Sequence, residues 1–264
     1  MKQGNFDMSD VVIVASAFGV DAIRRDGHRK WLTAAAEAGA SGFEVRRELF
    51  ASEAEAVPEA LAALGEAIRA QGMWSVYSTP DTLYTADGAL DESALRKAFA
   101  EAAALDARLV KLQLGGFAAD AEHAAGAAIA ACVRGSKPRL VVENGQLREG
   151  GLVAQFAHLF ERLQREGHAD VLGMTFDIGN WQWPGEVPLD AAHRLAPYVE
   201  YIHCKAVTGE GTRRFAAAPA SDDPVFAAVL PLLPRDVPRG IEFPFDANRL
   251  AADASHYVTW LANA

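Results

Sequence analysis

Four residues of metal-ligating type each follow a short apolar run in the second half of the chain. LVV precedes Glu143, MTF precedes Asp177, EYI precedes His203 and GI precedes Glu242. Runs rich in β-branched and other apolar side chains predict buried strands. A charge that ends a buried strand is costly to desolvate. Its recurrence at four successive strands therefore suggests chemistry at one shared place.

If these side chains converge, they form a metal site. Three buried carboxylates without a counter-charge repel one another and their pKa values rise, and a divalent cation resolves this. Oxygen ligands with one imidazole suit Mn²⁺, Mg²⁺, Co²⁺ or Fe²⁺ better than a structural Zn²⁺, although Zn²⁺ stays open. Each residue alone also has an ordinary interpretation: Glu143 could pair with an arginine, Asp177 could cap a loop and His203 could be a core histidine.

The elements that would position these residues repeat along the whole chain. Eight strand-like runs begin 27 to 41 residues apart. They are 11–18, 42–50, 73–79, 108–115, 139–146, 172–181, 199–207 and 240–245. Helix signals lie between most of them, such as Pro58 opening one helix and Gly167 closing another. This rhythm predicts a (β/α)8 TIM barrel, with residues 1–264 as a single domain and the active site at the carboxyl ends of the strands.

An open doubly wound sheet is the alternative architecture. It usually carries a glycine-rich phosphate loop after its first strand, whereas FGVDAIRRDG follows Ala17 here. The net charge of −10 argues against nucleic acid or an anionic membrane as the main partner. Two cysteines in unrelated contexts indicate no disulfide framework. With no signal-peptide pattern, we expect a cytoplasmic protein that acts on a small molecule.

Further polar residues share the lumen-facing side of predicted strands. Arg46 could grip a carboxylate or phosphate, or it could form a structural network with Glu44. Lys111 could bind a substrate oxygen or belong to a buried ion pair. Lys205 lies two residues past His203, on the same face, and we favour substrate contact over a solvated loop lysine.

Two more features follow the strand ends. Trp181 and Trp183 are expected to form an apolar wall over the site, or equally to serve a subunit interface. Loop 208–223, with Arg213 and Arg214, could act as a lid that excludes water, or it could be an ordinary solvated loop.

VVEN, FDIGN, IHCK and IEF together resemble the ligand pattern of the xylose isomerase-like TIM barrels, which include sugar isomerases, epimerases and inosose dehydratase. The resemblance spans essentially the whole chain. It implies that Glu143, Asp177, His203 and Glu242 hold the metal and that Glu143 and Glu242 are the acid/base pair. It also implies that Glu149 contacts substrate. EVRRELF with IEFPF further resembles the epimerase-like proteins associated with 2-ketogluconate utilisation. Members often form homo-oligomers, which the sequence itself does not display.

The substrate shell departs from that pattern. Asn180 stands where a histidine is common, and we take it as a substrate-binding candidate. Ala206 replaces an aspartate and Gly145 replaces a histidine. We therefore expect a metal-dependent isomerase or epimerase of a small ketose, keto-sugar or sugar acid. A dehydratase acting on an inosose or dehydroshikimate and a non-catalytic sugar-binding homologue are the alternatives. A DNA-repair nuclease is disfavoured because the other six histidines fall mostly within or beside predicted helices.

Overall fold

Eight parallel strands close into a barrel in the computed structural model, which describes residues 9–118, 125–209, 211 and 213–264. Around the barrel the strands run β1-β10-β7-β6-β5-β4-β3-β2. Their bounds are β1 Val11–Val14, β2 Gly42–Arg46, β3 Trp74–Tyr84, β4 Leu109–Gly115, β5 Arg139–Glu143, β6 Gly173–Asp177, β7 Val199–Cys204 and β10 Arg239–Ile241. The predicted TIM barrel is confirmed. Several strands are shorter than predicted, because 3-10 turns replace the ends of the first two runs.

Helices cover the outside of the barrel. They are α1 Val20–Asp26, α2 Leu32–Glu37, α3 Pro58–Ala70, α4 Glu92–Ala104, α5 Ala125–Val133, α6 Val153–Arg165, α7 Pro188–Leu195, α8 Pro224–Val229 and α9 Leu250–Asn263. Their ends follow local chemistry: Pro58 occupies the first turn of α3, and the Asp91 side chain caps α4 by accepting from the Ala94 amide at 2.9 Å. Within the described part of the chain, no helix is long and apolar enough to span a membrane.

Strict alternation along the strands separates the apolar layer from the lumen. On β5, Leu140 and Val142 pack in the main core with the helices, while Glu143 points inward. On β7, Ile202 faces outward and His203 faces inward. The lumen contains a small apolar cluster of Val12, Val76 and Tyr201. The charged groups therefore gather at the carboxyl ends of the strands, above this cluster.

A two-stranded hairpin was not expected from the sequence. The strands β8 Ala206–Thr208 and β9 Phe215–Ala217 pair antiparallel directly after β7. β8 ends at the start of the predicted loop 208–223 and β9 lies within it. Glu210 and Thr212 of this loop lie outside the described residues. Arg213 is exposed and Arg214 donates to the carbonyl of Gln182, so this arginine ties the hairpin to the loop after β6.

Candidate metal and active site

The four predicted ligands meet in one small volume. Glu143, Asp177, His203 and Glu242 each offer a ligand atom, and these atoms all lie within 4.8 Å of one another. His203 Nδ1 is 2.7 Å from Glu143 Oε1, 3.2 Å from Glu242 Oε2 and 3.8 Å from Asp177 Oδ2. The side chain of Glu242 is 9% exposed, and the other three are at most 3% exposed. These residues come from the neighbouring strands β5, β6 and β7 and from the end of β10.

The donor atoms suit a cation better than they suit one another. Glu143 Oε1 and His203 Nδ1 are buried and have no hydrogen-bond partner of good geometry among the described residues, and Asp177 Oδ2 has none besides its ion pair with Lys205. Such orphaned polar atoms are costly in a protein interior. These three atoms lie close together, with His203 Nδ1 2.7 Å from Glu143 Oε1 and 3.8 Å from Asp177 Oδ2. The set fits a divalent ion with oxygen ligands and one imidazole.

A count of the charges in the site also favours a bound divalent cation. Within the described part of the chain, five carboxylates meet three basic side chains here. The carboxylates are those of Glu44, Glu48, Glu143, Asp177 and Glu242, and the basic groups are those of Arg46, Lys111 and Lys205. With His203 neutral, as a metal-ligating histidine must be, two negative charges are in excess. One divalent cation would balance them.

Two lysines hold the carboxylates from different sides. Lys111 is 1% exposed, and its ammonium donates to Glu143 Oε2 at 2.6 Å. This is the buried ion pair of the alternative interpretation. Lys205 lies 2.6 Å from Glu242 Oε2 and 2.7 Å from Asp177 Oδ2, nearer the rim as expected from its position beyond His203. Because its side chain is 6% exposed, the solvated loop alternative for Lys205 is wrong.

Arg46 lies at the mouth with two carboxylate partners. Its Nη1 donates to Glu242 Oε1 at 2.5 Å, and its Nη2 lies 2.5 Å from Glu48 Oε1. The alternative interpretation expected a network with Glu44, but the hydrogen-bonded partners of Arg46 are Glu242 and Glu48. A substrate carboxylate would have to compete with both of them for this guanidinium.

Asn180 and Glu149 are placed differently from the lumen residues. Asn180 is 4% exposed, and its amide donates to the carbonyl of Asn144 at 2.8 Å. Asn144 in turn exchanges two hydrogen bonds with the backbone of Asp177, at 2.8 and 3.0 Å. Asn180 thus braces the loops that present the ligands. Glu149 is exposed in the loop after β5, so substrate contact by these two residues stays a prediction.

The buried charges perturb one another in opposite directions. Burial raises the pKa of Asp177 to about 7, although Lys205 opposes the rise. Burial would also raise the pKa of Glu143, but Lys111 and His203 override it and hold that pKa below its usual value. Burial and Lys111 would lower the pKa of His203, yet Glu44, Glu242 and Glu143 raise it well above its ordinary value. The cluster therefore attracts positive charge.

Glu44 is the residue whose role sequence reasoning missed. It is fully buried, and its Oε2 lies 2.9 Å from His203 Nε2, on the side of the ring away from the ligand cluster. The alternation in GFEVR placed it correctly in the lumen. Its partner lies 159 residues away in sequence, and no local pattern links the two.

Trp181 does not form a wall over the site. It is fully buried against Phe156 of α6 and against Phe176. Because Phe176 faces away from the lumen, the indole belongs to the layer between barrel and helices. Trp183 is half-buried in the same loop.

The other histidines lie as predicted, as far as the structure describes them. His158, His193 and His256 are on helices α6, α7 and α9, His28 is in a 3-10 turn and His168 follows α6. His123 is outside the described residues. Among the described residues, one group of three or more His, Cys, Asp or Glu side chains is arranged to share a metal ion, and it consists of Glu143, Asp177, His203 and Glu242.

Solved structures of similar shape match the chain along nearly its whole length. A D-allulose 3-epimerase from Methylomonas sp. is 14% identical, with a TM-score of 0.62 over 96% of this chain and 97% of that one. A probable 3-DHS dehydratase from Bacillus anthracis is 13% identical, with a TM-score of 0.64 over 96% and 99%. A family 2 AP endonuclease from Brucella melitensis is 13% identical, with a TM-score of 0.64 over 96% and 99%.

These matches establish the class of fold. The chain has the fold of the xylose isomerase-like TIM barrel proteins, as its motifs predicted. No family model matches the chain, and no curated protein matches it in sequence. At 12–14% identity the likeness shows the fold alone, and the structures that share it include an epimerase, a dehydratase and an endonuclease.

Proposed function

We propose that this protein is a divalent-metal-dependent isomerase or epimerase of a small ketose, keto-sugar or sugar acid. One observation carries the proposal: the ligand atoms of Glu143, Asp177, His203 and Glu242 lie within 4.8 Å of one another, buried and in excess negative charge. The sugar epimerase among the matched structures supports the substrate class. The acidic net charge and the placement of the other described histidines within or beside helices and turns disfavour the nuclease.

In this proposal, Glu143 and Glu242 act as the acid/base pair. They lie at the two ends of the row β5-β6-β7-β10, so Asp177 and His203 separate them. A substrate carbon held over the centre of this row would face one carboxylate on each side. One carboxylate removes the proton next to the carbonyl, and the other returns a proton. Return to the same carbon gives an epimer, and return to the neighbouring carbon gives an isomer.

The remaining lumen residues position this pair. A bound divalent cation would supply Lewis-acid stabilisation of the negative charge on the substrate oxygens. Arg46 and Lys205 hold the two oxygens of Glu242, and Lys111 holds Glu143 from below. Fixed donors of this kind keep both carboxylates ionised and aligned.

A dehydratase is the second candidate, and the matched 3-DHS dehydratase favours it. The same proton removal would then expel a β-hydroxyl instead of ending in reprotonation. The conjugated enone that results absorbs in the ultraviolet, whereas an epimer does not. A non-catalytic binding protein would exchange no carbon-bound proton.

The test is metal analysis followed by a panel of ketoses and keto acids assayed in deuterated water. We expect bound divalent metal and deuterium incorporation next to the carbonyl. Glu242→Gln should reduce exchange by ~10²–10⁴-fold, the usual contribution of a general acid/base. Glu37→Gln is the matched control, since Glu37 is exposed at the end of α2 on the outer layer. Parental exchange by the Glu242 variant, with its metal retained, would refute the assignment.

A further inference from the structure

We propose that Glu44 is a positioning residue that fixes the tautomer of His203 and thereby directs Nδ1 at the cation. The inference rests on the proposed metal site and names the residue that prepares it. Glu44 and His203 are both fully buried, on strands β2 and β7, which are not neighbours in the barrel. Their contact therefore crosses the lumen beneath the ligand cluster.

The environment of Glu44 leaves its carboxylate one role. Oε2 accepts from the Tyr201 hydroxyl at 2.9 Å and lies 2.9 Å from His203 Nε2, while Oε1 lies 3.4 Å from Lys111 Nζ. An ionised carboxylate only accepts hydrogen bonds. The proton between Glu44 and His203 must therefore sit on Nε2. In the neutral imidazole, this leaves the lone pair on Nδ1.

The carboxylate oxygens nearest to the lone pair on Nδ1 are hydrogen-bond acceptors. Glu143 Oε1 at 2.7 Å and Glu242 Oε2 at 3.2 Å have no proton to give it when ionised. A positive charge can satisfy all of these atoms together, either a second proton on the ring when no metal is bound or a divalent cation that displaces that proton. If the neutral ring instead carried its proton on Nδ1, it would donate to Glu143 Oε1, and the cluster would close on itself without a cation. Glu44 thus decides between a metal site and a self-satisfied hydrogen-bond network.

The ring has little freedom to escape this geometry. Tyr201 packs edge-on against the imidazole, with centroids 4.8 Å apart and planes at 80°. On the adjacent strand, a Cβ at Gly240 would lie 2.9 Å from His203 Cδ2 and 2.4 Å from the Tyr201 hydroxyl oxygen. Glycine at this position leaves the space in which both rings lie. The ring plane is thus fixed by packing, and the proton position by Glu44.

The experiment compares cation binding by the parent, Glu44→Gln and Tyr201→Phe. Calorimetric titration with Mn²⁺ should show ~10–100-fold weaker binding by the Gln variant, the usual effect of losing the partner of a ligating histidine. Tyr201→Phe is the matched control, because it removes one donor to Glu44 and keeps the carboxylate. We expect a much smaller loss from it.

A second measurement needs no variant. The parent is labelled with ¹⁵N-histidine and loaded with diamagnetic Cd²⁺. Its ¹⁵N NMR spectrum should show that Nε2 of His203 bears the proton and that Nδ1 is coupled to the metal. A purely structural role for Glu44 would not fix this pattern. Two results would overturn this inference and leave the proposed function standing. One is metal coupling at Nε2, and the other is equal Mn²⁺ affinity of the parent and a folded Glu44→Gln variant. A parent that binds no divalent cation would overturn the proposed function with it.

Discussion

The two ends of strand β5 carry charged side chains that serve opposite purposes. At its start, Arg139 makes a paired contact with Glu200, with Nε and Nη2 donating to the two carboxylate oxygens at 2.7 and 2.6 Å. At its end, Glu143 lies in a cluster with excess negative charge and orphaned oxygens. The first site is balanced and about one-third exposed, and the second is unbalanced and buried.

This contrast teaches how to tell a structural ion pair from a functional one. When one cationic side chain faces one anionic side chain, both charges are neutralised and no further counter-ion is needed. A buried cluster whose charges do not cancel needs a further positive charge. The unbalanced end of the strand is the end where TIM barrels place their active sites, so geometry and charge agree.

The largest expected effect comes from Asp177→Asn, which removes one excess charge and one ligand atom. Cation binding and proton exchange should fall by more than the ~10–100-fold lost with an outer-shell partner. In the presence of a chelator, the variant should resist urea at least as well as the parent, because an unbalanced buried charge has gone. The measurements are Mn²⁺ titration and urea unfolding with EDTA. A variant that is less stable than the parent in EDTA would contradict the claim that the cluster at the end of β5 carries an unbalanced negative charge.

The next effect concerns His28, a buried histidine without carboxylate neighbours of the kind that surround His203. Burial lowers the pKa of His28 to about 4 from an ordinary value of 6.5. Between pH 6.5 and 4, the unfolded chain therefore binds a proton at His28 that the folded chain does not bind. The free energy of unfolding keeps its full value above pH 6.5 and falls as the pH drops towards 4. The slope is ~1.4 kcal/mol per pH unit, with a total of about 3 kcal/mol.

The matched variant for this prediction is His28→Gln, because the Gln carbonyl can still accept from the Arg46 amide that His28 Nε2 accepts at 3.2 Å. Unfolding free energies of parent and variant are compared from pH 7.5 to 4. As the pH falls over this range, the unfolding free energy of the parent should decrease relative to that of the variant. Parallel curves would show that His28 does not titrate as its burial implies.

The smallest effect is expected at the balanced end. Arg139→Met should lower the unfolding free energy by ~1 kcal/mol or less, since partly exposed ion pairs contribute little. Cation affinity and exchange should keep their parental values, because the start of β5 is remote from its end. Urea unfolding and Mn²⁺ titration check both statements. A loss of cation affinity would mean that the two ends are coupled.

Much of the fold could be predicted because its signals are local. Period-two alternation fixes which residues face the lumen, and the βα rhythm fixes where strands end. Glu143, Asp177 and His203 are the last or next-to-last residues of their strands, and Glu242 directly follows β10. The convergence of all four therefore followed from strand ends alone.

The rest depends on contacts between residues that are far apart in sequence. Whether Lys205 reaches Glu242, which carboxylates hold Arg46 and whether Trp181 packs under α6 are settled by the curvature of the barrel and the loops. Glu149 was placed by resemblance, and its loop leaves it exposed.

By itself, then, the sequence determined the barrel, the lumen face of each strand and the ring of acidic groups at one end. The tertiary structure alone decided how their charges add up and which nitrogen of His203 faces them. The physical reason is range. Backbone sterics and side-chain alternation act within a few residues, whereas the balance of buried charge depends on every group that folding brings within a few ångströms.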